Sequence, residues 1–93
     1  MYCYIILDVT VAPESPSIVL KIEGKDIASG KYYTILESAA VVGVSTNIYK
    51  VAHWIVAAAN LAVADQIPET WRVTVTHGNT DTITYSIGYN LGI

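Results

Sequence analysis

The side chains in this sequence that could do chemistry are few and widely spaced. A hydrolytic Ser-His-Asp site would have to join His53 or His77 to Asp65 or Asp81 and to one of several serines, yet no serine stands in the strained Gly-x-Ser-x-Gly turn that exposes a nucleophile. His53 and His77 lie 24 residues apart, and neither has a Cys or His at the intervals that zinc sites use, so a shared metal with Asp81 has no spacing to support it. A histidine at a strand end, bonded to backbone or water, accounts for both. The run "GNTD" from Gly78 to Asp81 resembles a fragment of a calcium loop but lacks the remaining oxygen ligands and the closing glutamate, and it reads as a turn. Glu37 and Glu69 have no evident acid-base partner. Gly88 and Gly92 are too far apart for a phosphate-binding loop, and Gly88 interrupts a strand pattern, where glycine marks a bulge or a close approach of backbone. Cys3 is the only cysteine, which excludes a disulfide within the chain, fits a reducing compartment and points to a buried, inert thiol. The expectation is a protein that is not an enzyme, with no catalytic, cofactor-binding or metal-binding residues.

What remains is aromatic and apolar. The chain has seven tyrosines, two tryptophans and no phenylalanine, so every aromatic ring carries a polar edge beside its apolar body, a combination suited to interfaces. Tyr32, Tyr49, Trp54, Ile55, Leu61, Trp71, Tyr85 and Tyr89 are the candidate interface residues, and Tyr32, Tyr49 and Trp54 are also the candidates for a carbohydrate platform. Apolar residues make up 53% of the 93 residues and charged ones 14%, where an average soluble domain has about 25% charged. A chain this short builds one core over residues 1–93, and a small core leaves apolar surface over. That surplus calls for contacts with other chains.

Other partners fit less well. The net charge is −3, and the five basic residues (Lys21, Lys25, Lys31, Lys50 and Arg72) stand singly, with no positive stripe for phosphates, so no nucleic acid is expected. "VAHWIVAAANLAVA", from Val51 to Ala64, is shorter than the roughly 20 residues of a membrane span and carries His53 and Asn60. No membrane is expected either. The N-terminus lacks the positive leader of a signal peptide, so the mature chain is expected to start at Met1.

The elements that must position these residues are mostly strands. Tyr2 to Ala12 is rich in β-branched and aromatic residues, with Leu7, Val9 and Val11 alternating against Asp8 and Thr10. "PESPS" breaks the ladder, and Ile18, Leu20 and Ile22 then form the apolar face of a second strand. Gly24 to Lys31 has the glycines of a hairpin connection with positive φ, and the period of two resumes in "KYYTILE". "STN" at 45–47 reads as a bend before a strand "IYKVA". The alanines of Trp54 to Pro68 suit a helix of about three turns over 54–65, and an extended segment lying along another subunit is the alternative. The last 24 residues read as two strands around a tight turn at "HGNTDT". Trp71, Val73, Val75 and His77 share a face of one, and Ile83, Tyr85, Ile87, Tyr89 and Leu91 share a face of the other. The expected fold is mainly β, an antiparallel β-sandwich or small barrel with at most one short helix.

Pro68, the "WRV.V.H" strand at Trp71 to His77, the "ITYSIG" strand at Ile83 to Gly88, "NIYKVA" upstream and the alanine-rich "AAAN" between them resemble the C-terminal half of small structural proteins of tailed bacteriophages, the capsid decoration or cement proteins. The resemblance covers roughly half of the chain. It implies a virion protein, assembled in the host cytoplasm, that sits on the capsid surface and bridges capsomers of the major capsid protein after the shell has matured. By analogy with such proteins it also implies a homotrimer. A tail-tube or head-to-tail joining protein is the alternative within the virion, and a carbohydrate-binding β module is the alternative outside it.

Overall fold

The computed structural model describes residues 2–92, and within them the chain is all β, a sandwich of two sheets with no helix. Seven strands follow one another: β1 (Tyr2–Val11), β2 (Ile18–Lys25), β3 (Tyr32–Glu37), β4 (Ser45–Val51), β5 (Ala62–Val63), β6 (Trp71–His77) and β7 (Thr84–Gly92). One sheet has the order β5-β4-β1-β7 and the other β3-β2-β6. All neighbours are antiparallel except β4 and β5.

The alternation in β1 and β2 makes them the central strands. Cys3, Ile5, Leu7 and Val9 of β1 and Ile18, Leu20 and Ile22 of β2 are fully buried against one another, and Leu36, Val41, Tyr49, Val51 and Ile67 complete the core. Val11 departs from this row: the pairing with β7 shifts register between Val9 and Val11, and Val11 is exposed. Each fully buried aliphatic side chain stabilises the fold by about 1.5–3 kcal/mol relative to exposure.

Connections between strands are tied down by hydrogen bonds. Ser38 follows β3 and bonds Leu20 twice: its N–H donates to the Leu20 carbonyl (2.8 Å) and its Oγ accepts the Leu20 N–H (2.9 Å). The β2–β3 hairpin is closed by Asp26, whose carboxylate accepts from Ser29 Oγ (2.8 Å) and from the Ala28 N–H (3.2 Å). Gly30 supplies the positive φ (74°) there. Gly24 does not. It lies inside β2, where a Cβ would come within 2.7 Å of both the Pro68 ring and the Tyr33 ring.

Three further expectations are corrected. Residues 54–65 are not helical: after β4 the chain turns at Ala58–Leu61, with Asn60 at φ 63°, and returns as β5 beside β4. A helix apolar on every side would need cover from a third layer, which a two-sheet sandwich does not provide. Backbone bonds from the Lys50 N–H to Leu61 O (3.0 Å) and from the Ala52 N–H to Val63 O (3.2 Å) hold the segment at the sheet edge instead. Ser45, Thr46 and Asn47 do not bend before a strand but begin β4, with Thr46 Oγ1 donating to Asp8 Oδ1 across the ladder (2.9 Å).

The third correction concerns the two final strands. They are not paired with each other: β6 pairs with β2 and β7 with β1, in opposite sheets. The turn residues form an arch between layers, fixed by the Gly78 N–H to Ser17 O (2.7 Å) and by Asn79 Nδ2 to Ser15 O (2.9 Å). An apolar row on each strand is satisfied by an arch as well as by a hairpin, because either arrangement points both rows inward. The threonine faces of β6 and β7 consequently lie on opposite outer surfaces.

Candidate interaction surfaces

The accessible surface is 5478 Å², close to the roughly 5,300 Å² expected for a folded monomer of this mass. Its extent is ordinary. Its character is not, because large apolar side chains from Val42, Val44, Ile48, Trp54, Val56, Leu61, Ile87, Tyr89 and Leu91 stand exposed on it. Two surfaces gather five of them, Ile48 and Trp54 on one and Ile87, Tyr89 and Leu91 on the other.

The first is the outer face of the β5-β4-β1-β7 sheet. The residues of β1 that alternate with its buried row, Tyr2, Tyr4 and Ile6, point outward, and Ile48 of β4 stands directly opposite Ile6. The Tyr2 ring is 5.2 Å from that of Tyr4 and meets Trp54 edge-on at 5.5 Å. Trp54 in turn takes the His53 ring edge-on at 4.8 Å, while Lys50 Nζ lies 5.5 Å from the Tyr4 ring. Gly92 lies beneath the Tyr2 ring, which occupies the space that any Cβ would need. The outcome is a stripe of three aromatic rings continued by two isoleucines on a rigid ladder, with one cation at its side.

The second is the inner face of β7 beyond the point where β6 covers it. Tyr85 packs against the core and its hydroxyl is 3.5 Å from His77 Nε2. Farther along, Ile87, Tyr89 and Leu91 stand opposite Leu7, Ile5 and Cys3 on the same face, yet they are 39%, 65% and 41% exposed. The other sheet has three strands, and no described strand lies over this end of β7.

The outer face of the β3-β2-β6 sheet is polar by contrast. Glu23 accepts from Arg72 Nε and from Thr74 Oγ1, both at 3.1 Å, and the Arg72 guanidinium stacks 3.7 Å from the Tyr32 ring centre.

The eight candidate interface residues are therefore dispersed. Trp54 belongs to the aromatic stripe and Tyr89 to the open row of β7. Leu61 is exposed beside a shallow hollow of about 230 Å³, smaller than the roughly 300 Å³ at which ligand pockets begin. Ile55, Trp71 and Tyr85 are half-buried, Trp71 and Tyr85 against the core. Tyr32 lies under Arg72 on the opposite sheet. Tyr49 is a correction: it faces inward from β4 and is 2% exposed, so it is part of the core rather than of an interface. Burial pushes its phenol above the ordinary value, and a hydrogen bond with Ser38 opposes part of that rise. Tyr32, Tyr49 and Trp54 do not share a surface, and the carbohydrate platform they were expected to form is not assembled. Sequence reading missed Tyr2, Tyr4, Ile6 and Ile48. Their alternation with the buried row of β1 and their ladder partners would have found them, once β4 was placed beside β1.

Among the described residues no three His, Cys, Asp or Glu side chains come close enough to hold a metal ion. Cys3 is fully buried, and desolvation pushes its thiol up to about 11. No protein-family model, curated protein or solved structure matches the chain.

Proposed function

We propose that this protein is a structural component of a virion, a capsid decoration protein that binds the major capsid protein on the shell surface and strengthens the shell by adding contact area between capsomers. The observation that carries this reading is the aromatic stripe on the outer face of the β5-β4-β1-β7 sheet, where half-buried Tyr2, Tyr4 and Ile6 stand on a rigid ladder beside exposed Ile48 and Trp54. Aromatic side chains held rigidly lose little freedom on binding and supply much of the energy of protein interfaces. The chemistry of such a role is contact alone. A standard specific contact buries about 800 Å² per partner, and repetition over a shell multiplies a modest affinity into a large mechanical effect. The resemblance of Trp71 to His77 and of Ile83 to Gly88 to cement proteins supports the same reading.

The test is cosedimentation with expanded shells assembled from the major capsid protein of the same virus. Saturation at hundreds of copies per shell, with Tyr4→Ser plus Ile48→Ser lowering the affinity at least tenfold, is the expected result. Absence of binding, or a handful of copies at one vertex, contradicts it, and the latter points to the head-to-tail joint.

A further inference from the structure

We propose that the free edge of β7 is a self-association site, at which two copies of this chain pair β7 against β7, antiparallel, about a twofold axis through Gly88. Strand edges in folded proteins are ordinarily blunted by charge, proline, brevity or cover. The other edges here follow that rule: β5 is two residues long, β3 ends at Glu37, and β6 carries Arg72. β7 is the exception. It is nine residues long, it ends its sheet, and the run "TYSIGYNLG" contains neither a charge nor a proline. Alternate residues of an antiparallel strand turn their N–H and C=O to opposite sides, so about half of those on β7 face outward with no strand beside them.

The sequence of β7 fits a second copy of itself. Gly88 is the midpoint of Thr84–Gly92, so a twofold axis there pairs the strand over its whole length. In that register Ile87 stands opposite the second copy's Tyr89, and Tyr85 opposite its Leu91. Both are apolar pairs of the aromatic and branched kind that stabilise ladders. The same pairing lays each open row beside the other, which lowers the exposure of Ile87, Tyr89 and Leu91. No like charges meet.

Gly88 gives an independent indication. A Cβ at this position would meet nothing within 4 Å, its φ is not positive, and the β1–β7 register runs through it without a bulge. Glycine weakens a strand interior, and nothing inside the protomer requires it here. On a twofold axis, however, the two residues 88 face each other across about 4.5–5.5 Å, where small size eases the approach of two backbones. The strand is about 30 Å long. The area such pairing covers is at the small end for specific contacts, so the dimer dissociates on dilution. The pairing is twofold, and the unit it builds is a dimer in place of the trimer implied by the family resemblance.

Two experiments on the full chain test this. In sedimentation velocity the protein is expected to pass from monomer to dimer between sub-micromolar and tens of micromolar, and Ile87→Lys, which sets an ammonium against the second copy's Tyr89, is expected to hold it monomeric. Under mild oxidation Gly88→Cys is expected to form a covalent dimer, because the open space at Gly88 accepts the side chain and the two thiols meet at the axis. Ser86→Cys is expected to form none, since its two copies lie four residues out of register, about 14 Å apart. A monomer at every concentration, a trimer, or cross-linking of Ser86→Cys as efficient as that of Gly88→Cys overturns the proposal. Shell binding is independent of this outcome: a protein that stays monomeric yet decorates shells refutes the pairing alone, and a dimer that ignores shells refutes the capsid reading alone.

Discussion

Ile5 and Tyr89 stand directly opposite each other on β1 and β7, on the same face of one sheet, yet Ile5 is 1% exposed and Tyr89 is 65% exposed. Two neighbours on one face differ so widely because the second sheet is one strand narrower than the first. The core ends between them. Replacing Ile5 by Ala should cost about 2–5 kcal/mol through the cavity it leaves. Tyr89→Ser should change the stability of the monomer by less than about 0.5 kcal/mol. Urea unfolding at sub-micromolar protein measures both, and equal costs would show that the row on β7 is covered after all.

Ser38 closes the core by standing in for a strand. Its hydroxyl accepts the Leu20 N–H and donates to Ala39 O (2.8 Å), so one side chain satisfies the buried backbone where β3 has ended. Ser38→Ala leaves the Leu20 donor without a partner and should cost about 1–3 kcal/mol. The midpoint of urea unfolding should fall with an unchanged slope, which separates lost stability from a change in the surface exposed on unfolding.

Glycine substitutions should separate the two strand glycines. Gly24→Ala forces a methyl toward the Pro68 and Tyr33 rings, and the resulting overpacking should cost about 1–3 kcal/mol. Gly88→Ala meets open space and should be neutral or stabilising by up to about 1 kcal/mol in the monomer. Thermal melts of the two variants at low concentration provide the comparison.

Alkaline pH should destabilise the protein progressively. The Cys3 thiol is held at about 11 in the fold against an ordinary 9.0, and the Tyr49 phenol is also raised by burial. Both groups are favoured in their neutral forms by folding, so their contribution is fully present below pH 9 and is lost as pH rises through the folded value. Stability should be flat with respect to these groups up to pH 9 and should fall between 9 and 11. A thiol reagent at pH 8 should leave native Cys3 unmodified and label it at once in denaturant.

The fold was legible where alternation ran long. The buried rows follow from the alternation at Leu7 and Val9 in β1 and at Ile18, Leu20 and Ile22 in β2, because a period of two has one reading on a half-buried strand, whereas Val11, read into the same row, lies exposed beyond a register shift. Partnership was not legible. The patterns of Trp71 to His77 and of Ile83 to Leu91 point their apolar residues inward whether the strands pair in one sheet or arch between two, and only the positions of β1 and β2 decide. The alanines of 54–65 carry helix propensity, but propensity yields to tertiary context when the layers offer no place for a helix. Of the candidate surfaces, Trp54 and Tyr89 were visible as aromatic residues in surface segments. Tyr49 was misplaced because the parity of β4 is fixed by its pairing with β1 and not by its own sequence, and the faces of Tyr2 and Tyr4 are not legible because the run from Tyr2 to Ile6 has no alternation of apolar and polar residues.

Hydrogen exchange on β7, followed as a function of protein concentration, bears most directly on the claim that the exposed apolar row of this strand meets another chain rather than water. Backbone amides between Thr84 and Gly92 that point away from β1 should exchange rapidly below one micromolar and become protected at tens of micromolar, while those bonded to β1 stay slow at both. Equal and rapid exchange of the outward amides at every concentration would contradict the account.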